Sequence, residues 1–244
     1  DLKENDVMVF VSDGALYASA GQSLNLNWKW EDIAKHLKIN VRDSMSALDI
    51  KNNLLGVCDQ MYLFEPGDDT TVCVLKAVKP KKVKLFTGPP SHKEDDAKVV
   101  HELMNNADIR IVSGGTTSQI VARELGVEVK SSTEIYDKEV PPIAYIQGVD
   151  LVTEGVLTLS KTIDRLKSLS KSLDSDIFKA KDGASQMAKL LYSASHIKLL
   201  VGRSLNIANA ESSFQRDLEL RLHVVGELEK ILVKLGKIVT VEYY

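Results

Sequence analysis

Three aspartates in two short motifs are the residues of this chain best suited to chemistry. Val11-Ser12-Asp13-Gly14 closes one apolar run, and Pro66-Gly67-Asp68-Asp69-Thr70-Thr71 opens another. Hard divalent cations such as Mg²⁺ and Mn²⁺ take carboxylate oxygens and keep room for water. A strand end holds a carboxylate rigidly, and Gly14 beside Asp13 lets the backbone turn away and leaves a metal open. Two such sites brought together could hold paired metals that bind a phosphate, generate hydroxide and stabilise in-line displacement. Each motif by itself is also ordinary turn chemistry.

A second group is Ile111-Val112-Ser113-Gly114-Gly115-Thr116-Thr117-Ser118, which reads as strand, glycine turn and helix start. The exposed N–H groups of a helix N-terminus over Gly114, Gly115, Thr116, Thr117 and Ser118, with hydroxyls beside them, can cradle an anion. The spacing is neither that of a P-loop nor that of a dinucleotide fingerprint, and no lysine follows. The alternative is a tight βα turn with Thr116 or Thr117 as N-cap. Gly202-Arg203-Ser204-Leu205-Asn206 follows another strand, which places Arg203 and Asn206 to line the same crevice. The five histidines share no ligand spacing; His101 is the one placed to face a core. Asp150 and Glu154 read as a turn, and no Ser-His-Asp or Cys-His arrangement has motif support.

The elements that must position these residues follow from periodicity. Val7 to Ser12 is a strand, and two amphipathic helices follow, one on Trp30, Ile33, Ala34 and Leu37, one on Ala47, Ile50, Leu54, Val57, Cys58 and Met61. Thr70 to Val78 returns as a strand. Lys79-Pro80-Lys81-Lys82 is the expected boundary between a domain at 1–79 and another at 80–244. Beyond it come a strand at Val83 to Thr87 and a helix opened by a Ser91/Glu94 capping box, with Ala97, Val100 and Met104 inward. Then follow a strand at Ile109 to Ser113, a helix ended by Gly126, and a short strand at Val127 to Lys130. Pro141-Pro142 excludes regular helix from the poorly patterned stretch at 131–154. Helices on Val156 to Leu169 and Met187 to Ala194, a strand at Ile197 to Val201, a long helix on Phe214 to Leu235 and a last strand at Ile238 to Tyr244 complete the chain. This alternation predicts an α/β layered domain with a mostly parallel sheet.

Composition sets limits on function. With 244 residues, 44% hydrophobic and 27% charged, the chain is long enough for one or two domains and is not disordered. A net charge of −3 argues against nucleic acid as a partner. No run of about 18 apolar residues is present to span a membrane. Cys58 and Cys73 make neither a disulfide framework nor a zinc site, so a reducing cytoplasm is the expected compartment. The chain opens on Asp1 rather than Met and enters structure almost at once, which suggests a fragment.

Taken together, the two aspartate motifs with helices between them resemble the C-terminal part of the metal-dependent serine/threonine protein phosphatase (PPM) family. In that family a strand ends in Ser-Asp-Gly, helices follow, and Gly-Asp-Asp/Asn-x-Thr opens the last core strand. Asp13 and Asp68 fall on the family's two C-terminal metal-binding aspartates, and Asp69 on the neighbouring Asp or Asn. Gly21-Gln22-Ser23-Leu24-Asn25-Leu26-Asn27-Trp28 and Cys58 extend the likeness to clostridial-type members of the stage II sporulation protein E-like branch. There the domain is followed by an extension similar to this chain at Thr87-Gly88-Pro89-Pro90, Gly114-Gly115-Thr116-Thr117 and Val149 to Gly155.

The resemblance implies half of a β-sandwich phosphatase domain at 1–79, with Asp13, Gly14, Asp68 and Asp69 at a binuclear Mn²⁺ or Mg²⁺ centre. The family's bridging aspartate lies in its first half, and nothing here fills that role. The implied activity is hydrolysis of phosphoserine or phosphothreonine on a regulatory protein. A homo-oligomer stays open. The competing expectation is a regulatory α/β binding module that senses a small anionic ligand or a partner, with no catalysis in this chain alone.

Overall fold

In the computed structural model the chain divides into two compact units, residues 1–79 and 80–244. The structure describes residues 1–19, 28–65, 67–171, 177, 179–204 and 211–244. Gly21 to Asn27, Pro66, Leu205 and Asn206, and the side chain of Phe214, lie outside the described residues.

The first unit is built on two antiparallel strands, β1 (Val7–Val11) and β2 (Val72–Lys76), with Val11 opposite Val72. Between them lie α1 (Asp13–Leu16), α2 (Trp30–Asn40) and α3 (Ala47–Met61). Alternation along the strands sends Val9, Val11, Val72 and Val74 into a cluster with Ala15, Ile33, Leu54, Cys58 and Tyr62. The other face carries Met8, Phe10, Cys73 and Leu75, and Phe10 and Leu75 are 55% and 50% exposed. Ser46 caps α3: its hydroxyl accepts from the Asp49 N–H at 3.1 Å, and Asp49 accepts in return from the Ser46 N–H at 2.8 Å. Trp30, placed by its spacing on the inner face of α2, is instead 65% exposed. It is the first residue of the helix.

The second unit holds seven strands in the order β5-β6-β7-β4-β3-β8-β9. They are β3 (Lys82–Thr87), β4 (Ile109–Ser113), β5 (Lys130–Ser131), β6 (Ala144–Tyr145), β7 (Leu151–Thr153), β8 (His196–Val201) and β9 (Ile238–Tyr243). β7, β4, β3, β8 and β9 are parallel throughout, while β5 and β6 add an antiparallel edge. The fold is therefore α/β with a mostly parallel sheet. Helices cover both faces. α4 (Asp96–Met104) and α5 (Gly115–Leu125) pack on Phe86, Val112, Val152 and Leu200. α6 (Val156–Lys171), α7 (Gly183–Ser193) and α8 (Glu211–Lys234) pack on Val83, Leu85, Ile111, Ile197 and Leu199. The chain starts at β3, winds outward to β4 and β7, then crosses to β8 and β9 on the other side. This is the doubly wound order, and its direction reverses between β3 and β8. Among the described residues no helix is long and apolar enough to cross a membrane.

Several local expectations change. The Ser91/Glu94 capping box does not form; a 3-10 turn at Lys93–Asp95 leads into α4, and no side chain caps it. Pro89 and Pro90 keep the entering chain extended, and the Ser91 N–H and hydroxyl both lie 3.3 Å from the Tyr244 carbonyl. The inner face of α4 is Asp96, Val99, Val100 and Leu103 rather than Ala97, Val100 and Met104, and His101 is exposed. The strand at Val127 to Lys130 is shifted to Lys130–Ser131. β6 and β7 arise within the stretch that carried no pattern; three residues of β7 are too few to show a period.

Lys84 is a buried lysine in a central strand, beside Lys198 of β8. Glu102 of α4 bridges the pair, accepting from Lys84 Nζ at 2.6 Å and Lys198 Nζ at 2.8 Å. Lys198 also meets Glu242 at 2.6 Å, and Glu242 accepts from the Tyr244 hydroxyl at 2.8 Å. The hydrogen bond from Lys198, then that from Lys84, holds the Glu102 carboxyl below the usual range. A carboxyl depressed in the fold stabilises it fully above its unfolded value and loses that contribution as pH falls through the folded one. Glu102→Gln is expected to cost about 2 kcal/mol at neutral pH. The gap to the parent protein should narrow as pH falls below about 4. Urea denaturation at pH 7 and pH 3.5 measures both.

Candidate functional site

The two aspartate motifs lie at the same end of the β1–β2 pair, Asp13 just past β1 and Asp68 and Asp69 just before β2. Ser12 links them. Its N–H donates to the Thr71 carbonyl at 3.0 Å, and its hydroxyl donates to the Asp69 carbonyl at 3.2 Å while accepting from the Thr71 N–H at 2.9 Å. Beyond the last ladder rung at Val11–Val72 the Ser12 hydroxyl completes the pairing with the Asp69–Thr71 loop, and regular β2 starts at Val72 rather than Thr70. Gly14 lies against the same loop, where an added Cβ would stand 2.5 Å from the Asp69 carbonyl oxygen. The Gly14 carbonyl accepts from the buried Tyr62 hydroxyl at 2.8 Å, anchoring the turn to the end of α3.

Asp13, Asp68 and Asp69 are all exposed. Asp13 Oδ1 accepts from the Gly14 N–H at 3.0 Å and Asp68 Oδ1 from the Asp69 N–H at 2.8 Å. Each carboxylate is thus oriented by the backbone of the next residue and keeps its second oxygen for another partner. A metal centre needs more than this. Among the described residues no group of three or more His, Cys, Asp or Glu side chains could hold a metal ion. The residues present do not by themselves fit a binuclear centre.

The second unit carries a cleft of about 550 Å³ at the C-terminal ends of β3, β4 and β7. Gly114, Gly115, Thr116 and Thr117 line it; Ser118 and Arg203 do not. Ser118 is buried and donates its hydroxyl to the Gly114 carbonyl at 2.8 Å. Arg203 is exposed, its guanidinium 5.5 Å from the centre of the Tyr243 ring. Gly114 takes φ +120, a region favouring glycine, and its N–H donates to the Thr153 carbonyl at 2.9 Å. α5 then begins with no side chain capping it. Neither threonine is the expected N-cap: that position is Gly114, and the Thr117 hydroxyl accepts from the Gly88 N–H at 2.9 Å.

The basic group of the cleft is Arg221, with Asp217 and Leu220 beside it on one face of α8. Arg221 is half-buried, and an added Cβ at Gly88 would stand 2.6 Å from its Nη1. Burial pushes its guanidinium below the ordinary value, against the opposing charge of Asp217. The one sequence signal for Arg221 is its place on the flank of the Leu218/Leu222 stripe. No protein-family model, curated protein or solved structure matches this chain.

Gly14→Ala would drive a methyl group onto backbone atoms of the Asp69 loop. It is expected to cost about 1–3 kcal/mol and to loosen the junction of the two motifs. Urea denaturation gives the cost, and faster amide exchange at Thr71 reports the loosening.

Proposed function

We propose that this chain is the C-terminal portion of a metal-dependent serine/threonine protein phosphatase. In this reading residues 1–79 contribute Asp13 and Asp68 to a centre completed by residues outside 1–244. The observation that carries the reading is the junction of the two motifs. The Ser12 hydroxyl and the Gly14 approach hold the Asp13 turn against the Asp68-Asp69 loop, with three solvent-facing carboxylates at one strand edge, two of them oriented by backbone N–H groups. An isolated pair of turns has no need of so close a fit.

A second feature supports the same reading. A two-stranded sheet is marginal alone, and β1–β2 presents Met8, Phe10 and Leu75 to solvent on the face away from its helices. Such a surface suits a further β layer, as half of a sandwich requires. The proposed substrate is a phosphorylated regulatory protein, and the proposed ion is Mn²⁺ or Mg²⁺. When bound, the metals would supply activated water and charge stabilisation. This chain's own part is to orient two carboxylates through backbone N–H groups.

In the longer protein that carries these residues, Asp68→Asn is expected to abolish manganese-dependent hydrolysis of a phosphopeptide while leaving thermal melting unchanged. A neutral amide is a far poorer ligand for a hard cation than a carboxylate. Turnover equal to the parent protein would refute the assignment. Residues 1–244 alone are expected to show little or no turnover, and robust metal-dependent hydrolysis by them would refute the need for outside ligands.

A further inference from the structure

Arg221 sits in a seat reserved for it. Gly88, with φ +79, leaves the space its guanidinium occupies, and any side chain there would collide with Nη1 and Cδ. Its protein partner among the described residues is the Gly202 carbonyl, 3.3 Å from Nη1. A guanidinium carries five N–H donors; among the described residues one of them has a protein acceptor, and Arg221 lines the cleft. Among the described residues no carboxylate forms an ion pair with it; Asp217, one turn away on α8, opposes the effect of its burial through charge. Holding a half-buried, unpaired cation in place is unfavourable unless an anion compensates it.

The rest of the cleft is complementary. The N–H groups of Gly115, Thr116 and Thr117 precede the helix's own bonding, which begins with the Ser118 N–H on the Gly114 carbonyl at 2.9 Å. Gly115, Thr116 and Thr117 line the cleft that Arg221 also lines, so a helix start and a cation both favour negative charge there. The usual phosphate turn of a doubly wound fold, after the first strand, is closed to this role. Pro89 and Pro90 have no N–H, and the Gly88 N–H is taken by Thr117. Glu154 also lines the cleft, its carboxylate within about 4 Å of where a Gly115 Cβ would stand. That carboxylate disfavours a bare anion beside it and favours a molecule that also offers hydroxyl donors. Leu157 and Leu220, 52% and 51% exposed, supply apolar surface at the cleft for a flat ring. The volume lies in the range of small-molecule sites.

We infer that this cleft binds a nucleoside monophosphate. The phosphate lies between Arg221 and the first turn of α5, the ribose hydroxyls donate to Glu154, and the base rests on Leu157 and Leu220. The inference rests on residues 80–244 and stands apart from the phosphatase reading.

Calorimetric titration of the whole chain with adenosine monophosphate, ribose 5-phosphate and inorganic phosphate tests it. Adenosine monophosphate is expected to bind at least about tenfold more tightly than inorganic phosphate, with ribose 5-phosphate between. Arg221→Met is expected to weaken adenosine monophosphate by about tenfold or more. Gly115→Asp places a carboxylate in the helix's first turn, where it favours the helix but repels the ligand. It should abolish binding with melting retained, and it decides the matter if Arg221→Met fails to fold. Absence of adenosine monophosphate binding at millimolar concentration would overturn the inference. Equal affinity for inorganic phosphate would also overturn it, as would parent-like affinity in Gly115→Asp.

Discussion

β3 is hydrogen-bonded along both edges, to β4 and to β8, and every residue from Val83 to Thr87 is buried. A strand enclosed in this way leaves the chain no freedom at its end except through the backbone itself. Gly88 makes that exit with φ +79. At the end of β8, Gly202 runs so close that a Cβ would stand 2.1 Å from the Pro89 carbonyl oxygen. The two loops at the reversal of the winding are therefore packed backbone against backbone. Chemical variety at this edge has to come from the elements around it: the start of α5, the Thr153–Glu154 corner and the inner turn of α8.

The first unit solves a related problem with fewer residues. Its two strands give only one sheet face to α3, and the strand ends would fray without support. Ser12 prevents this by using its hydroxyl as donor and acceptor at once, across the gap to the loop before β2. Tyr62 ties the same turn to α3 through a buried hydroxyl. The exposed aspartates are thereby attached to rigid backbone although their own side chains are solvated. That combination of fixed base and free oxygens is what a ligand-holding carboxylate needs.

Much of the architecture is legible in the sequence, because long apolar periods survive tertiary context. The stripes Val156 to Leu169 and Leu218 to Leu235, and the runs Ile109 to Ser113 and Ile197 to Val201, correspond to α6, α8, β4 and β8. Short elements are not legible: Ala144–Tyr145 and Leu151–Thr153 owe their strand state to their neighbours, not to their own pattern. The face of α4 is off by a residue because Asp96 is buried against Arg123, a pairing between helices that no local rule reveals. The same limit applies to the cleft. Arg203 follows a strand and so looks placed for a ligand, yet it stacks on Tyr243. Arg221 lies mid-helix, many residues from any strand end, and reaches the cleft because α8 passes the residues that follow β3 and β8, Gly88 and Gly202.

The charged row Lys84, Glu102, Lys198, Glu242 and Tyr244 lies on the sheet face that also carries Phe86 and Leu200. In a strand, a shift of one residue exchanges the two faces. A slipped β3 would push Lys84 into the apolar cluster of Leu159, Met187 and Leu228. A slipped β8 would do the same with Lys198. Either slip would bury an ammonium among apolar side chains at a high cost, so the two lysines favour the native alignment of the central strands.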